Sequence, residues 1–100
     1  MSLDLNTTIV TTSPYTINKN STILFINRNA PSSVILPSLH DDDDGKTFYI
    51  KDYSGTSVVN PITITAAGGK KINGVSFAML NGAYSHLQVA YDGNNWMVIA

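Results

Sequence analysis

Few residues in this chain have side chains suited to chemistry. The stretch "LHDDDDGKTFYIKD" sets Asp41, Asp42, Asp43 and Asp44 side by side, four of the seven acidic residues in a sequence without Glu. Four adjacent carboxylates suggest a cation site or acid–base work. A calcium loop of the EF-hand kind takes ligands at alternate positions, Gly at the sixth and Glu at the twelfth. With Gly45 sixth, His40 falls at the first ligand position and Lys51 at the twelfth, and neither serves. Successive residues of an extended segment also point to opposite sides, so the four carboxylates cannot converge on one ion. The run reads as a solvated loop whose charge guards the following strand against edge pairing. Its functional alternative is contact with a loosely held cation or a receptor.

The other candidates divide in the same way. His40 and His86 are the only histidines, and no second His or suitably spaced carboxylate accompanies either as a metal or base partner. Ser and Asp are plentiful, yet no G-x-S-x-G elbow gives a Ser–His–Asp triad its context. "AAGGKK" places Lys70 and Lys71 after two glycines, but a phosphate-binding loop needs Ser or Thr where Lys71 stands. A hairpin turn with a solvated basic tip is the better reading. Tyr15, Tyr49, Tyr53, Tyr84, Tyr91 and Trp96 could supply a sugar platform, although most are expected in the core or at an interface. Trp96, just after the "DGNN" turn, is expected to pack a strand end against the core. Tyr53, in the polar turn "KDYSGTS", is the best exposed aromatic for a partner.

Composition restricts the partners. Charged residues make up 13% of the 100, about half the usual share, and the net charge is −1 with a pI near 6.0. This balance argues against nucleic acid as a partner, because phosphate binding needs a basic face. No apolar run approaches the roughly 20 residues that span a bilayer, so no membrane insertion is expected. No basic stretch leading into an apolar one marks a signal peptide. The absence of Cys removes disulfides, thiolate catalysis and Cys-bound zinc. No cofactor is expected.

The elements that would carry these residues are strands. "TTIVTT" (7–12) is β-branched, and "STILFIN" (21–27) and "SVILP" (33–37) contain short apolar runs. "KTFYIKD" (46–52), "PITITA" (61–66) and "HLQVAYD" (86–92) alternate, and "NWMVIA" (95–100) is apolar on both faces. Gly, Asn and Pro punctuate them. No window keeps a helical period; the best competitor, "VSFAMLNGAY" (75–84), is broken by Gly82. There is no exact internal repeat. A single all-β domain over residues 1–100 follows, a sandwich or a barrel, drawn as an antiparallel, jelly-roll-like β-sandwich.

The order of motifs from residue 15 to residue 100 resembles a module of viral fibre proteins, found in bacteriophage tail fibres and fibre-like proteins of large DNA viruses. Gly45 precedes an aromatic strand ending Ile50-Lys51-Asp52, and the Ser54-Gly55 turn follows. Next come Ile62-Thr63-Ile64, a Gly-rich turn with Ile72-Asn73-Gly74, and the closing hairpin Asp92-Gly93-Asn94-Asn95-Trp96. "STILFINRNAPSSVILPS" fits the strands that lead into such a module. The resemblance implies a homotrimeric β domain, either a trimer of sandwiches or an interlocked trimeric β-prism. It further implies the head or tip of a longer fibre on the virion surface, working in host attachment or fibre assembly and not as an enzyme. The matching positions are structural: turn glycines, core aliphatics and an indole. The four-Asp run departs from the pattern.

Contacts with a host-surface glycan or protein receptor are expected in the loops, at Asp41, Asp42, Asp43, Asp44, Tyr53, Lys70 and Lys71. "ILFI" and "WMVI" are apolar on both faces, so their second face needs a cover in a small domain without disulfides. His86, Gln88 and Ala90, with Met97 and Ile99, are the candidates for a subunit-facing surface. A carbohydrate-binding β-sandwich attached to an enzyme is the alternative reading. An independent hydrolase is disfavoured, because no activated nucleophile or acid–base pair can be named.

Overall fold

The computed structural model describes residues 6–100. Met1, Ser2 and Leu3 lie outside the described residues, as does the side chain of Asp41. Among the described residues nine strands form: β1 (Thr7–Val10), β2 (Tyr15–Thr16), β3 (Ile23–Ile26), β4 (Ser32–Leu36), β5 (Thr47–Asp52), β6 (Ile62–Ala66), β7 (Ala78–Leu80), β8 (His86–Tyr91) and β9 (Trp96–Val98). The helical content of the described residues is two three-residue 3-10 turns, Asp41–Asp43 and Ala67–Gly69. Each strand anticipated from alternation is present. The segment 75–84 contains β7 where a helix was the competing pattern.

Two sheets share these strands, one in the order β1-β3-β5-β8-β9 and the other β2-β4-β6-β7. Their inner faces meet in one core. Val10, Leu24, Ile26, Phe48, Ile50, Val89, Tyr91 and Trp96 come from the first sheet, and Val34, Leu36, Ile62, Ile64 and Leu80 from the second. The expected all-β sandwich is therefore what the chain forms. Every second residue is buried along β3, β4 and β5, the signature of strands with one face inward. Burying an aliphatic or Phe side chain of this kind contributes about 1.5–3 kcal/mol.

The strand pairing corrects the antiparallel, jelly-roll-like expectation. From β1 to β6 the chain alternates between the sheets, so neighbours in each sheet run parallel: β1 with β3, β3 with β5, β2 with β4, and β4 with β6. A parallel pair needs a crossover, and here the crossover contains a strand of the opposite sheet. The chain winds as a coil of three turns. Antiparallel β7 then closes the second sheet, and β8 and β9 close the first. The offset between paired residues changes from turn to turn (Thr7 to Ile23, then Ile23 to Tyr49), so no sequence repeat marks the winding.

Parallel winding places the exits of β1, β3 and β5 at one end of the first sheet. The entry to β8 returns to the same end, since Lys51 pairs with His86. The loops at 27–31, 53–60 and 81–85 therefore meet there.

Candidate functional site

The loop cluster is tied together by Asp52, the last residue of β5, whose side chain is fully buried. Its Oδ1 accepts from the Ser54 hydroxyl at 3.0 Å and the Gly55 amide at 3.1 Å. Its Oδ2 accepts from the amides of Ser57 at 3.0 Å and Tyr84 at 3.1 Å. Among the described residues no buried side-chain polar atom lacks a partner. Burial pushes the Asp52 carboxyl up, but hydrogen bonds from Ser57, Ser54 and the Tyr84 amide outweigh it, and the net shift is downward. The Ser54 and Thr56 hydroxyls bond the Arg28 carbonyl, and the Ser57 hydroxyl bonds that of Gly82. The Asn60 amide reaches Asn29 Oδ1 at 3.3 Å. The carboxylate thus joins two loops, and the third is held through the Arg28 carbonyl.

Aromatic and aliphatic side chains stand exposed on this cluster. Tyr53 is 49% exposed and rests against Phe25, with ring centroids 5.4 Å apart. Tyr84 is 57% exposed, and Val58 and Val59 are more open still. Lys51 donates its Nζ to the Tyr84 carbonyl. The described residues enclose no cavity, so a ligand here would meet an open surface.

A second feature is the outer face of the first sheet. Ile9, Ile23, Phe25 and Tyr49 point outward from β1, β3 and β5, opposite the core residues beside them. His86, Gln88 and Ala90 point outward from β8, and Met97 from β9, with Ile99 just beyond. Ladder register aligns Ile23 with Tyr49, Tyr49 with Gln88, and Ala90 with Met97. The Ile99 amide donates to the Gln88 carbonyl at 2.8 Å. His86, Gln88, Met97 and Ile99, selected from sequence, therefore share one face. Ile9, Tyr49, Met97 and Ile99 are each at least 40% exposed on it.

The remaining candidates are scattered. The turn at Asp41–Asp43 lies between β4 and β5, where the His40 amide donates to Asp43 Oδ2 at 3.0 Å. Asp42 and Asp44 are exposed and Asp43 is half-buried. Among the described residues no three His, Asp, Cys or Glu side chains gather as ligands. Replacing the four aspartates with Ser is expected to change unfolding free energy by less than about 1 kcal/mol in urea titration, as for surface positions away from special contacts. A larger loss, or calcium binding by calorimetry that the variant abolishes, contradicts a solvated loop. Lys70 reaches across to Asn94 Oδ1 at 3.0 Å, and Lys71 is exposed nearby. The expected tight hairpin tip is a longer connection, 67–77, in which the Ile72 side chain returns to the core. Asp92 accepts from the Asn95 and Asn94 amides across its turn, and these bonds, with the charge of Lys70, lower its carboxyl.

One position in the loop cluster, Asp52, was not selected from sequence as a site; it reads as a strand end, although Asp followed by Tyr-Ser-Gly is a composition that bonds its own backbone. Tyr84 was named only as one of six aromatics that could supply a sugar platform. No family model matches the chain, and no curated protein matches it.

Proposed function

We propose that the chain is a structural and adhesion module of a viral fibre, a homotrimeric head domain at the virion surface that works by surface recognition without turnover. The observation that carries this reading is the outer face of the first sheet, where Ile9, Tyr49, Met97 and Ile99 stand open on one plane. Monomeric proteins seldom expose a continuous apolar sheet face, because water gains entropy when it is covered. The fitting cover is another copy of the same chain. Among the described residues, Lys51 and His86 at one end and the Tyr49 phenol are the ionisable side chains of this face, which leaves little charge to repel a like copy. Closed symmetry is the normal outcome of such contacts. The choice of three copies, and of a fibre, rests on the order of sequence motifs from Gly45 to Trp96. Three copies present three equal loop clusters, so weak receptor contacts add by avidity.

The paired substitution Tyr49→Lys and Met97→Lys tests the face. Both positions are at least 40% exposed, so the charges are solvated in a lone chain but desolvated in a contact. The expected result is a folded chain of 10.8 kDa by light scattering, against a larger species for the unsubstituted protein. An unchanged mass for the variant places the contact elsewhere. A monomer in both cases moves the reading to the sugar-binding module.

A further inference from the structure

Tyr84 combines three features that seldom coincide. Its backbone lies in the left-handed region at φ +58°, the residue is 57% exposed, and its ring lies against a glycine. A bulky side chain in that region is strained. Asn73 is the other described non-glycine residue there, and Asn adopts the conformation readily in a turn. Tyr84 is therefore held in place by its surroundings. Its amide donates to Asp52 Oδ2 and its carbonyl accepts from Lys51 Nζ. Its ring occupies the space above Gly55, where a Cβ would overlap Cζ, Cε2 and the phenol oxygen. One side of the ring is fixed on backbone, while much of the residue remains in solvent.

The geometry points to a carbohydrate-binding site centred on Tyr84, which takes the apolar face of a neutral hexose. A fixed, exposed ring loses little side-chain freedom when it is covered, so stacking on it is not offset by ordering. A pyranose presents a flat C–H face to such a ring and hydroxyls at its rim. The loops joined to Tyr84 offer amide and hydroxyl groups: Ser54 and Thr56 flank the Gly55 on which its ring lies, and Asn29 and Asn60 belong to the same loop cluster. The surface is open, which suits a chain of sugars better than a small molecule that needs enclosure. A nucleobase would stack equally well, but its phosphates would need more free cationic side chains than Lys51, bonded to the Tyr84 carbonyl, and Arg28, bonded to the Pro31 carbonyl and the Ser32 hydroxyl. The inference deepens the attachment half of the proposed function by naming its partner, and it rests on that reading only for the host context.

The test uses the purified chain in its native assembly and four neutral hexaoses, of glucose, mannose, galactose and N-acetylglucosamine, with binding read by saturation-transfer NMR and titration calorimetry. At least one hexaose is expected to bind. Tyr84→Phe should retain that binding, and Tyr84→Asn should weaken it at least about tenfold, as for a central aromatic contact. Asn suits the left-handed backbone, so the melting temperature of Tyr84→Asn should not fall; Tyr84→Gly, which suits it better, provides the same comparison. The site is overturned if no hexaose binds, or if Tyr84→Asn binds as well as the unsubstituted chain. A large fall in melting temperature for both the Asn and Gly variants also overturns it, because the ring would then be structural. Native mass is measured on the same samples. A monomer that binds a hexaose sinks the trimer and keeps this site, whereas a trimer that binds none sinks this site alone.

Discussion

Replacing Asp52 with Ala should destabilise the domain by about 3–5 kcal/mol, because several buried donors lose their acceptor together. The side chain is fully buried, and three backbone amides and one hydroxyl converge on its two oxygens. Ala leaves those donors facing a void, and each buried donor left without an acceptor costs about 1–3 kcal/mol. Asp52→Asn keeps the shape but replaces one oxygen with an NH2 group that faces N–H donors, so it too should destabilise. The pH dependence has a definite sign. Hydrogen bonds hold the folded carboxyl below its unfolded value of about 3.9, so the stabilisation is complete above about pH 4. It is lost as the pH falls through the folded value, because the protonated acid is a poorer acceptor for the same amides. Urea midpoints at fixed protein concentration, measured from pH 7 to pH 3, should show the gap between the unsubstituted protein and Asp52→Asn narrowing only at the acid end. A gap below about 1 kcal/mol at pH 7 would mean that the loops hold together without the carboxylate.

Trp96→Ala should cost about 3–5 kcal/mol, as truncations of buried aromatics do. Trp96 is 1% exposed, with ring centroids 5.6 Å from Phe48 and 5.1 Å from Tyr91. Its backbone is also occupied: its amide donates to the Lys71 carbonyl, and its own carbonyl accepts from the Asn73 amide. Trp96 therefore joins β9 to the core through its indole, and to the connection 67–77 that contains Ile72 through its backbone. Trp96→Phe fills most of the space and should cost less than half as much. If urea unfolding shows equal losses for Ala and Phe, the ring contacts contribute little, and the backbone links to the connection carry the effect.

The strands were legible because their physical cause is local. Alternation in "KTFYIKD" and "PITITA" gives each strand one inward face, and the burial of Phe48, Ile50, Ile62 and Ile64 follows the same alternation. Trp96 and Tyr53 were also legible, the first from its place after a turn and the second from its polar surroundings. The direction of pairing was not. A strand alternates in the same way whether its neighbour runs parallel or antiparallel, and in this coil the neighbour is supplied by another turn of the chain at no constant spacing. Strand β2, two residues long, and β7, three residues long, are too short to show a period. Three of the donors to Asp52, on Ser54, Gly55 and Ser57, are local, but the fourth, the Tyr84 amide, is over thirty residues away, and its burial depends on that tertiary contact. Tyr84 was one of six aromatics named from sequence, but its conformation was hidden, because a positive φ at a residue other than Gly, Asn or Asp is set by tertiary contacts and has no composition signal. The outer sheet face was half legible: "ILFI" and "WMVI" declared a second apolar face, but the alignment of Ile23 with Tyr49 and of Ala90 with Met97 depends on register.

Assembly is the claim on which the proposed role depends. Its most direct measurement is sedimentation equilibrium of the unsubstituted chain at micromolar concentration. The expected mass is three times 10.8 kDa, stable across loading concentrations. A folded species of 10.8 kDa under the same conditions would contradict it, leaving the outer face of the first sheet open to water and the fibre reading without its subunit contact.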